Sequence, residues 1–298
     1  MWLAACLLGW LAQPGAAGAV SGGGDFIGAR PLGMGGAHRS IVTGNDAIFL
    51  NPAGMSLFKR YSFESQYLVK PHWAAKDGPD EHIFNTSVVD NQLAPFATGL
   101  SYTRVERGKS KKGNRYDMAF SYALSNSLML GTNVKYLNYD RDGNEDAVDA
   151  VTLDVGMLLR FDFGLHIGVV GYNLTNTADY LDHPISMATS IMYSPFRSLE
   201  LAFDWSINFQ KPADPDEPLD KKKTGYSYHF GAEYLLMGQI LLRAGYVIEG
   251  SDPRLEDEQY WTVGAGYISE SIAIDFGYQG SVYHSWNNTF GVLVRVFL

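Results

Sequence analysis

From Tyr61 to the end, the chain alternates large apolar side chains with small, polar or charged ones. Tyr61, Phe63, Tyr67 and Val69 alternate with Ser62, Glu64 and Gln66; Tyr116, Met118, Phe120, Tyr122 and Leu124 alternate with Asp117, Ala119, Ser121 and Ala123. The same holds for Leu199 to Phe209, where Glu200, Ala202, Asp204, Ser206 and Asn208 take the intervening places. A period of two puts one set on each face of a strand. The pattern predicts about fourteen strands, over 61–70, 82–90, 95–106, 115–125, 128–139, 148–161, 165–174, 184–193, 199–209, 225–236, 239–249, 259–268, 271–281 and 286–298.

A soluble sandwich and an outer-membrane barrel both use such faces, with opposite senses. The sandwich turns the apolar face inward; the barrel turns it to lipid and lines its lumen with the polar face. Three features favour the barrel. The segments run to about ten residues, the length that crosses a bilayer at a barrel's tilt, whereas soluble strands run to about five or six. Tyr61, Tyr102, Tyr116, Tyr136, Tyr226, Tyr246 and Tyr267 gather at strand ends, as an interfacial girdle requires. Short links (125–127, 162–164, 194–198, 237–238, 269–270) alternate with long ones (71–81, 107–114, 140–147, 175–183, 210–224, 250–258), as periplasmic turns and outer loops do. The expected fold is all-β: a transmembrane, antiparallel, up-and-down barrel with an N-terminal plug (hatch) in its lumen.

The plug is expected over 20–58 and the barrel over 59–298. Residues 28–56 have no period, are rich in glycine, carry the apolar run Ile48-Phe49-Leu50, and end in Asn51-Pro52-Ala53-Gly54. Asn51 suits an Asx turn, Pro52 fixes φ, and Gly54 admits a positive φ. Gly33, Gly35 and Gly36 suit close packing of this segment against the wall. Residues 1–19 form the expected cleaved signal peptide: an apolar core from Trp2 to Leu11, Pro14 after it, and Ala17-Gly18-Ala19 as the cleavage site. With Cys6 removed, the mature chain holds no cysteine, so hydrogen-bonded closure has to do the work that disulfides do elsewhere.

Charge and motif narrow the function. A net charge of −9 disfavours a nucleic-acid partner. No G-x-S-x-G or H-E-x-x-H occurs and the seven His are scattered, so no enzyme, catalytic residue, metal or cofactor is expected. Gly33-Met34-Gly35-Gly36 follows no strand and is no dinucleotide fingerprint. Asp140 to Asp146 begins like a calcium loop but has Val151 at its twelfth position, so a solvated hairpin tip is the plainer reading. The basic run Arg107 to Lys112 suits lipopolysaccharide phosphates. Inward charges, among them Glu64, Asp117, Lys135, Asp154, Arg160, Glu200, Asp204, Glu233, Arg243, Asp275 and Arg295, are expected to tie wall to wall and wall to plug through Arg30, Arg39 and Asp46, because confined charges must be paired or hydrated. Pro95 and Gly99, in the third predicted strand, are the expected site of a lateral gap, since proline cannot donate to the ladder.

Gly28-Ala29-Arg30-Pro31-Leu32-Gly33-Met34-Gly35-Gly36-Ala37, followed by Asn51-Pro52-Ala53-Gly54, resembles the N-terminal segment of FadL-type barrels, and most closely the shorter PorV/PorQ-like proteins. Gly171 to Asn176, Gly231 to Tyr234, Arg243 to Tyr246 and Ile274 to Tyr278 extend the resemblance along the chain. It implies a monomeric barrel in the bacterial outer membrane that passes small hydrophobic, fatty-acid-like molecules with Gly33 to Gly36 and Asn51 to Gly54 in the hatch. The PorV-like alternative is a non-transporting scaffold that meets protein-secretion or surface-attachment components. Outer-membrane lipid and lipopolysaccharide are partners in either case.

Overall fold

The computed structural model describes residues 28–71, 80–92, 95–107, 111–141, 148–175, 185–212, 222–250, 258–283 and 287–298. The expected signal peptide therefore lies outside the described residues. Fourteen antiparallel strands follow one another around a closed barrel: β1 (Tyr61–Lys70), β2 (Glu81–Asp90), β3 (Phe96–Arg107), β4 (Lys111–Ala123), β5 (Leu128–Arg141), β6 (Val148–Arg160), β7 (Leu165–Tyr172), β8 (Ser186–Phe196), β9 (Leu199–Pro212), β10 (Lys222–Leu236), β11 (Ile240–Gly250), β12 (Glu258–Ile268), β13 (Ile272–Ser281) and β14 (Asn288–Phe297). The ring closes where β1 meets β14, from Ser62 opposite Phe297 to Val69 opposite Phe290. Closure leaves no unpaired edge, which is the condition for strands to stand in hydrocarbon.

The two faces fall as the alternation predicts. On β1, Ser62, Glu64 and Gln66 are buried while Phe63 and Tyr67 are exposed. Around the ring the outward face carries Phe84, Leu100, Met118, Ile191, Trp205 and Phe276, all exposed. An apolar outside around a polar inside is the inverse of a water-soluble barrel and matches a lipid-facing wall.

The strands overrun several predicted loops. β3 and β4 pair up to Arg107 opposite Lys111, so Arg107, Lys111 and Lys112 stand in a ladder and only 108–110 separate the strands. Glu106 faces Lys112 there; opposite charges across a ladder stabilise it modestly, which apolar alternation cannot signal. β9 and β10 likewise continue to Pro212 opposite Lys222, and Asp140 and Arg141 belong to β5. The rest of the calcium-like run, 142–146, lies outside the described residues.

Two short helices, α1 (Ala29–Gly33) and α2 (Ala47–Leu50), and two 3₁₀ turns, Gly44–Asp46 and Pro52–Leu57, precede the wall. This segment lies within the ring. α1 packs against β11 to β14 and β1; α2 packs against β3 and β4; the second 3₁₀ turn packs against β3 to β6. Met34, Ala37 and Ile41 meet Met192 and Ala202 on β8 and β9. Among its buried side chains, Met34, Ala47, Ile48 and Ala53 are wholly inaccessible.

If the outward face meets lipid, Leu100→Arg should lower the stability of the barrel in bilayers by about 2–4 kcal/mol, the cost of an arginine near the midplane of such a wall. Urea unfolding in vesicles measures it, and a loss below about 1 kcal/mol would show that Leu100 does not face the membrane core.

Candidate functional site

The interior is organised by charges that the segment and the wall exchange. Arg30 reaches Glu233 with two prongs, Nη2 to Oε1 at 3.0 Å and Nε to Oε2 at 3.2 Å. Glu233 also accepts from Arg243 Nε at 2.5 Å, and Arg243 Nη1 donates to Asp275 Oδ1 at 2.7 Å. Burial presses Arg30 toward the neutral form, and the Glu233 carboxylate more than reverses this, so the guanidinium stays charged.

A second clamp joins Asp46 to Arg295 Nη2 at 2.9 Å. Arg295 Nε donates to Glu64 at 2.5 Å, and Gln66 donates to the other Glu64 oxygen at 2.9 Å while accepting from the Ala29 N–H at 3.1 Å. The third clamp centres on Arg39. Its Nη1 lies 3.1 Å from Asp204 Oδ2, which also accepts the backbone N–H groups of His38 and Arg39 at 3.2 and 3.1 Å. Arg39 Nε donates to the Tyr172 hydroxyl at 2.8 Å, and that hydroxyl donates to Leu50 O at 2.5 Å. Arg30, Arg39 and Asp46 thus each find a wall partner of opposite charge, as their positions predict. Two further pairs, Arg115 with Asp117 and Lys135 with Asp154, both at 2.7 Å, stay within the wall. Arg160 departs from the expectation: it is exposed at the end of β6, because inward parity at a strand's last residue points past the lumen.

Asn51 makes the expected Asx turn, its Oδ1 accepting from the Ala53 N–H at 3.2 Å. Its Nδ2 donates to Arg39 O at 3.1 Å and Met157 O at 3.2 Å. The turn before Pro52 is therefore bolted both to the third clamp and to β6. Gly35 and Gly36 take φ of 64° and 77° and reverse the chain between Arg30 and Arg39. Gly54 has no such conformation. Its lack of a side chain matters because a Cβ there would sit 2.3 Å from Val42 O. Gly33 meets Gly264 of β12 so closely that an added Cβ would stand 2.9 Å from the Gly264 Cα. The wall answers in kind: a Cβ on Gly131, Gly231 or Gly277 would lie 2.2–2.6 Å from backbone atoms of Ala53, Met34 or Ala29. Backbone therefore rests on backbone at these points.

The clamps are on one side only. All three lead to strands β7, β9, β10, β11, β13, β14 and β1, directly or through Arg243, Arg295 and Tyr172. Toward β2 to β6, among the described residues, the segment makes no ion pair. It offers Ile48, Phe49 and Met55, packed with Ile83, Val89, Ala97 and Ala119. Val105 touches this cluster and also the cluster of Leu137, Tyr139 and Ala150 near the loop ends of β5 and β6. Apolar contacts thus continue on the inner face from the loop ends of β5 and β6 through Val105 to α2, beside the buried Arg115–Asp117 and Lys135–Asp154 pairs. Neutral hydrogen bonds edge these contacts, such as Asn45 Nδ2 to Ser87 Oγ at 3.0 Å and Ser56 to Ser121 at 2.6 Å.

The predicted lateral gap is absent from its expected place. Pro95 sits in the turn before β3, where its missing N–H costs the ladder nothing, and its carbonyl accepts from Ala123 N–H at 3.1 Å. Gly99 pairs with Val89 on one side and Ala119 on the other, in registers that run unbroken. Gly99 instead makes room on the inner face: a Cβ there would stand 2.8 Å from Ile48 Cγ1 and 2.9 Å from Met55 Sδ. A shallow cavity of about 600 Å³ does accompany these strands, lined by Val88, Leu100, Met118, Val134 and the rings of Tyr102 and Tyr116. It opens on the outer face, away from the segment. Tyr172 was not singled out by the alternation, although a large aromatic at an inward position is the one anomaly that marks it.

No family model matches the sequence, and no curated protein matches it. Solved structures share its fold. The monoaromatic hydrocarbon channel CymD aligns with a TM-score of 0.68 at 12% identity, covering 91% of this chain and 96% of that one. The toluene transporter TbuX of Ralstonia pickettii aligns at 0.67 and 12%, covering 91% and 97%. A FadL homologue of Pseudomonas aeruginosa aligns at 0.60 and 12%, covering 91% and 97%. At such identities the likeness is one of fold.

Two substitutions test the third clamp. Arg39→Met strands the buried Asp204 and should loosen the segment by about 3–5 kcal/mol. Tyr172→Phe leaves Arg39 Nε and Leu50 O unmatched and should cost about 1–3 kcal/mol. Amide exchange of residues 28–57 in the refolded barrel reads both; protection equal to that of the parent protein would remove Arg39 and Tyr172 from the account.

Proposed function

We propose that this protein stands in the bacterial outer membrane as a monomeric barrel and lets small hydrophobic molecules cross passively, with residues 28–57 as the hatch that they pass. The observation that carries this reading is the chain of apolar contacts that runs from Leu137, Tyr139 and Ala150 through Val105 to Ile48, Phe49 and Met55. A fatty-acid-like molecule entering from water is drawn along such contacts by burial of its apolar surface, at roughly 25 cal/mol per Å². It needs no energy source beyond its gradient. The hatch can separate from the wall along this seam without breaking an ion pair, because all three clamps lie elsewhere. Gly33, Gly35 and Gly36 serve as the tight packing and turn of the clamped half. Asn51, Pro52, Ala53 and Gly54 anchor the half that borders the seam. The fold shared with channels named for toluene and other monoaromatic hydrocarbons supports hydrophobic cargo as a class.

The second reading, a PorV-like scaffold for secretion or surface-attachment proteins, draws on the Gly28 to Ala37 and Asn51 to Gly54 motifs and on how completely the segment is packed. In it the hatch never opens.

The readings part on a flux measurement. Refolded into vesicles with a lipopolysaccharide outer leaflet, the protein should speed the entry of a long-chain fatty acid to an enclosed fluorescent reporter. Gly99→Leu, which fills the seam against flexible side-chain ends and leaves the ladder intact, should slow that entry several-fold. Entry no faster than in empty vesicles, together with a stoichiometric protein partner recovered from the native envelope, would establish the scaffold instead.

A further inference from the structure

Inside the clamped half lies a histidine whose side chain no clamp uses. The His38 side chain is completely buried, and among the described residues neither Nδ1 nor Nε2 has a hydrogen-bond partner. Buried polar groups are rarely left so. Its place is fixed: the Gly35-Gly36 reversal precedes it, and its own N–H and that of Arg39 are both held by Asp204.

We propose that His38 is a proton-sensitive release for the N-terminal segment, neutral while the segment is seated and protonated once the segment has loosened into water. The surroundings leave a seated imidazolium no counter-ion. Arg30, Arg243 and Arg295 all raise the positive potential at the ring, and Arg39 is its chain neighbour. Of the carboxylates, Glu233 acts in its favour but is already shared between Arg30 and Arg243. Asp204 is taken up by Arg39 and two backbone N–H groups. Asp275 is held by Arg243, and Asp46 by Arg295. Glu200, half-buried on β9, stands beside Glu233. His229 on β10 spends its Nδ1 on Gly35 O at 2.6 Å. Burial first, and then the Arg30 charge, hold His38 well below the ordinary histidine value.

The sign follows from linkage. A loosened, hydrated His38 titrates near the ordinary value of about 6.5. Above that pH neither state binds a proton, and the seal is indifferent to pH on this account. Below it the loosened state takes up a proton that the seated state refuses. The seated state then loses ground by about tenfold per pH unit, down to the depressed value. The barrel itself need not unfold, because the ladders from β1 round to β14 close without the segment. The inference goes beyond transport: it concerns the clamped segment alone, and its test carries no cargo.

The test is amide exchange of residues 29–55 in the refolded full chain between pH 7.5 and 5, corrected for intrinsic exchange. The opening constant should rise about tenfold per pH unit below about 6.5, and His38→Gln should abolish that rise. Equal slopes in both proteins would overturn the proposal and place the acid response on the carboxylates. Should His38→Gln fail to fold, NMR of the wild-type imidazoles decides. Proton uptake by His38 should coincide with the loss of protection, and a His38 that stays neutral while protection falls would overturn it.

Discussion

The molecule depends on charges that cannot be left alone inside a dry lumen. Arg30, Arg39 and Asp46 sit on a short, glycine-rich segment, and each is buried or nearly so against an opposite charge on the wall. An unpaired charge in such a place costs several kcal/mol. The segment therefore cannot shed one clamp cheaply. On the wall, Glu233 and Arg295 also meet Arg243 and Glu64, so the demand falls hardest on the segment's own charges and on Asp204, whose ion-pair partner is Arg39 of the segment. Glycines facing glycines and bare backbone bring the two surfaces close enough for those pairs to form.

The clamps divide the interior into unlike halves. From β7 round to β1 the contact is ionic and directional, and separating it exposes charge. From β2 to β6 it holds no ion pair among the described residues and is largely apolar, with Ile48 against Gly99, Phe49 under the Arg115 guanidinium and a few neutral hydrogen bonds at its edge. Dispersion and burial hold that side, and another apolar molecule can supply both in place of the wall. A ligand of that chemistry substitutes for the contact it displaces. On the proposed function, this asymmetry favours an apolar cargo over an ion or a sugar.

Much of this was legible in the residues. Period-two alternation located all fourteen strands, because a lipid-facing wall repeats one rule in every strand. The partners of Arg30, Arg39 and Asp46 were legible as a class, since inward parity puts Asp204, Glu233 and Arg295 in the lumen; which met which needed the register. Other features were hidden. Strand ends beyond the apolar alternation, such as Arg107 and Lys111, carry no apolar signal, so ladders overrun the predicted loops. Pro95 read as a strand residue when the ladder starts one residue later, and the gap drawn from it vanished with that shift. Gly54 was assigned a turn conformation, whereas a close approach by Val42 O explains it, a contact that no local pattern encodes. Tyr172 and the unpartnered His38 became visible only with the segment seated.

The central claim is that the apolar seam opens while the clamps hold. A cross-link settles it: Ile48→Cys with Gly99→Cys in a Cys6→Ser background places two thiols across the seam, where a Gly99 Cβ would stand 2.8 Å from the Ile48 side chain. With the disulfide formed, fatty-acid entry into vesicles should stop, and reduction should restore it. Entry at the same rate in the oxidised and reduced protein would contradict the account, for cargo would then be passing somewhere other than between α2 and β3.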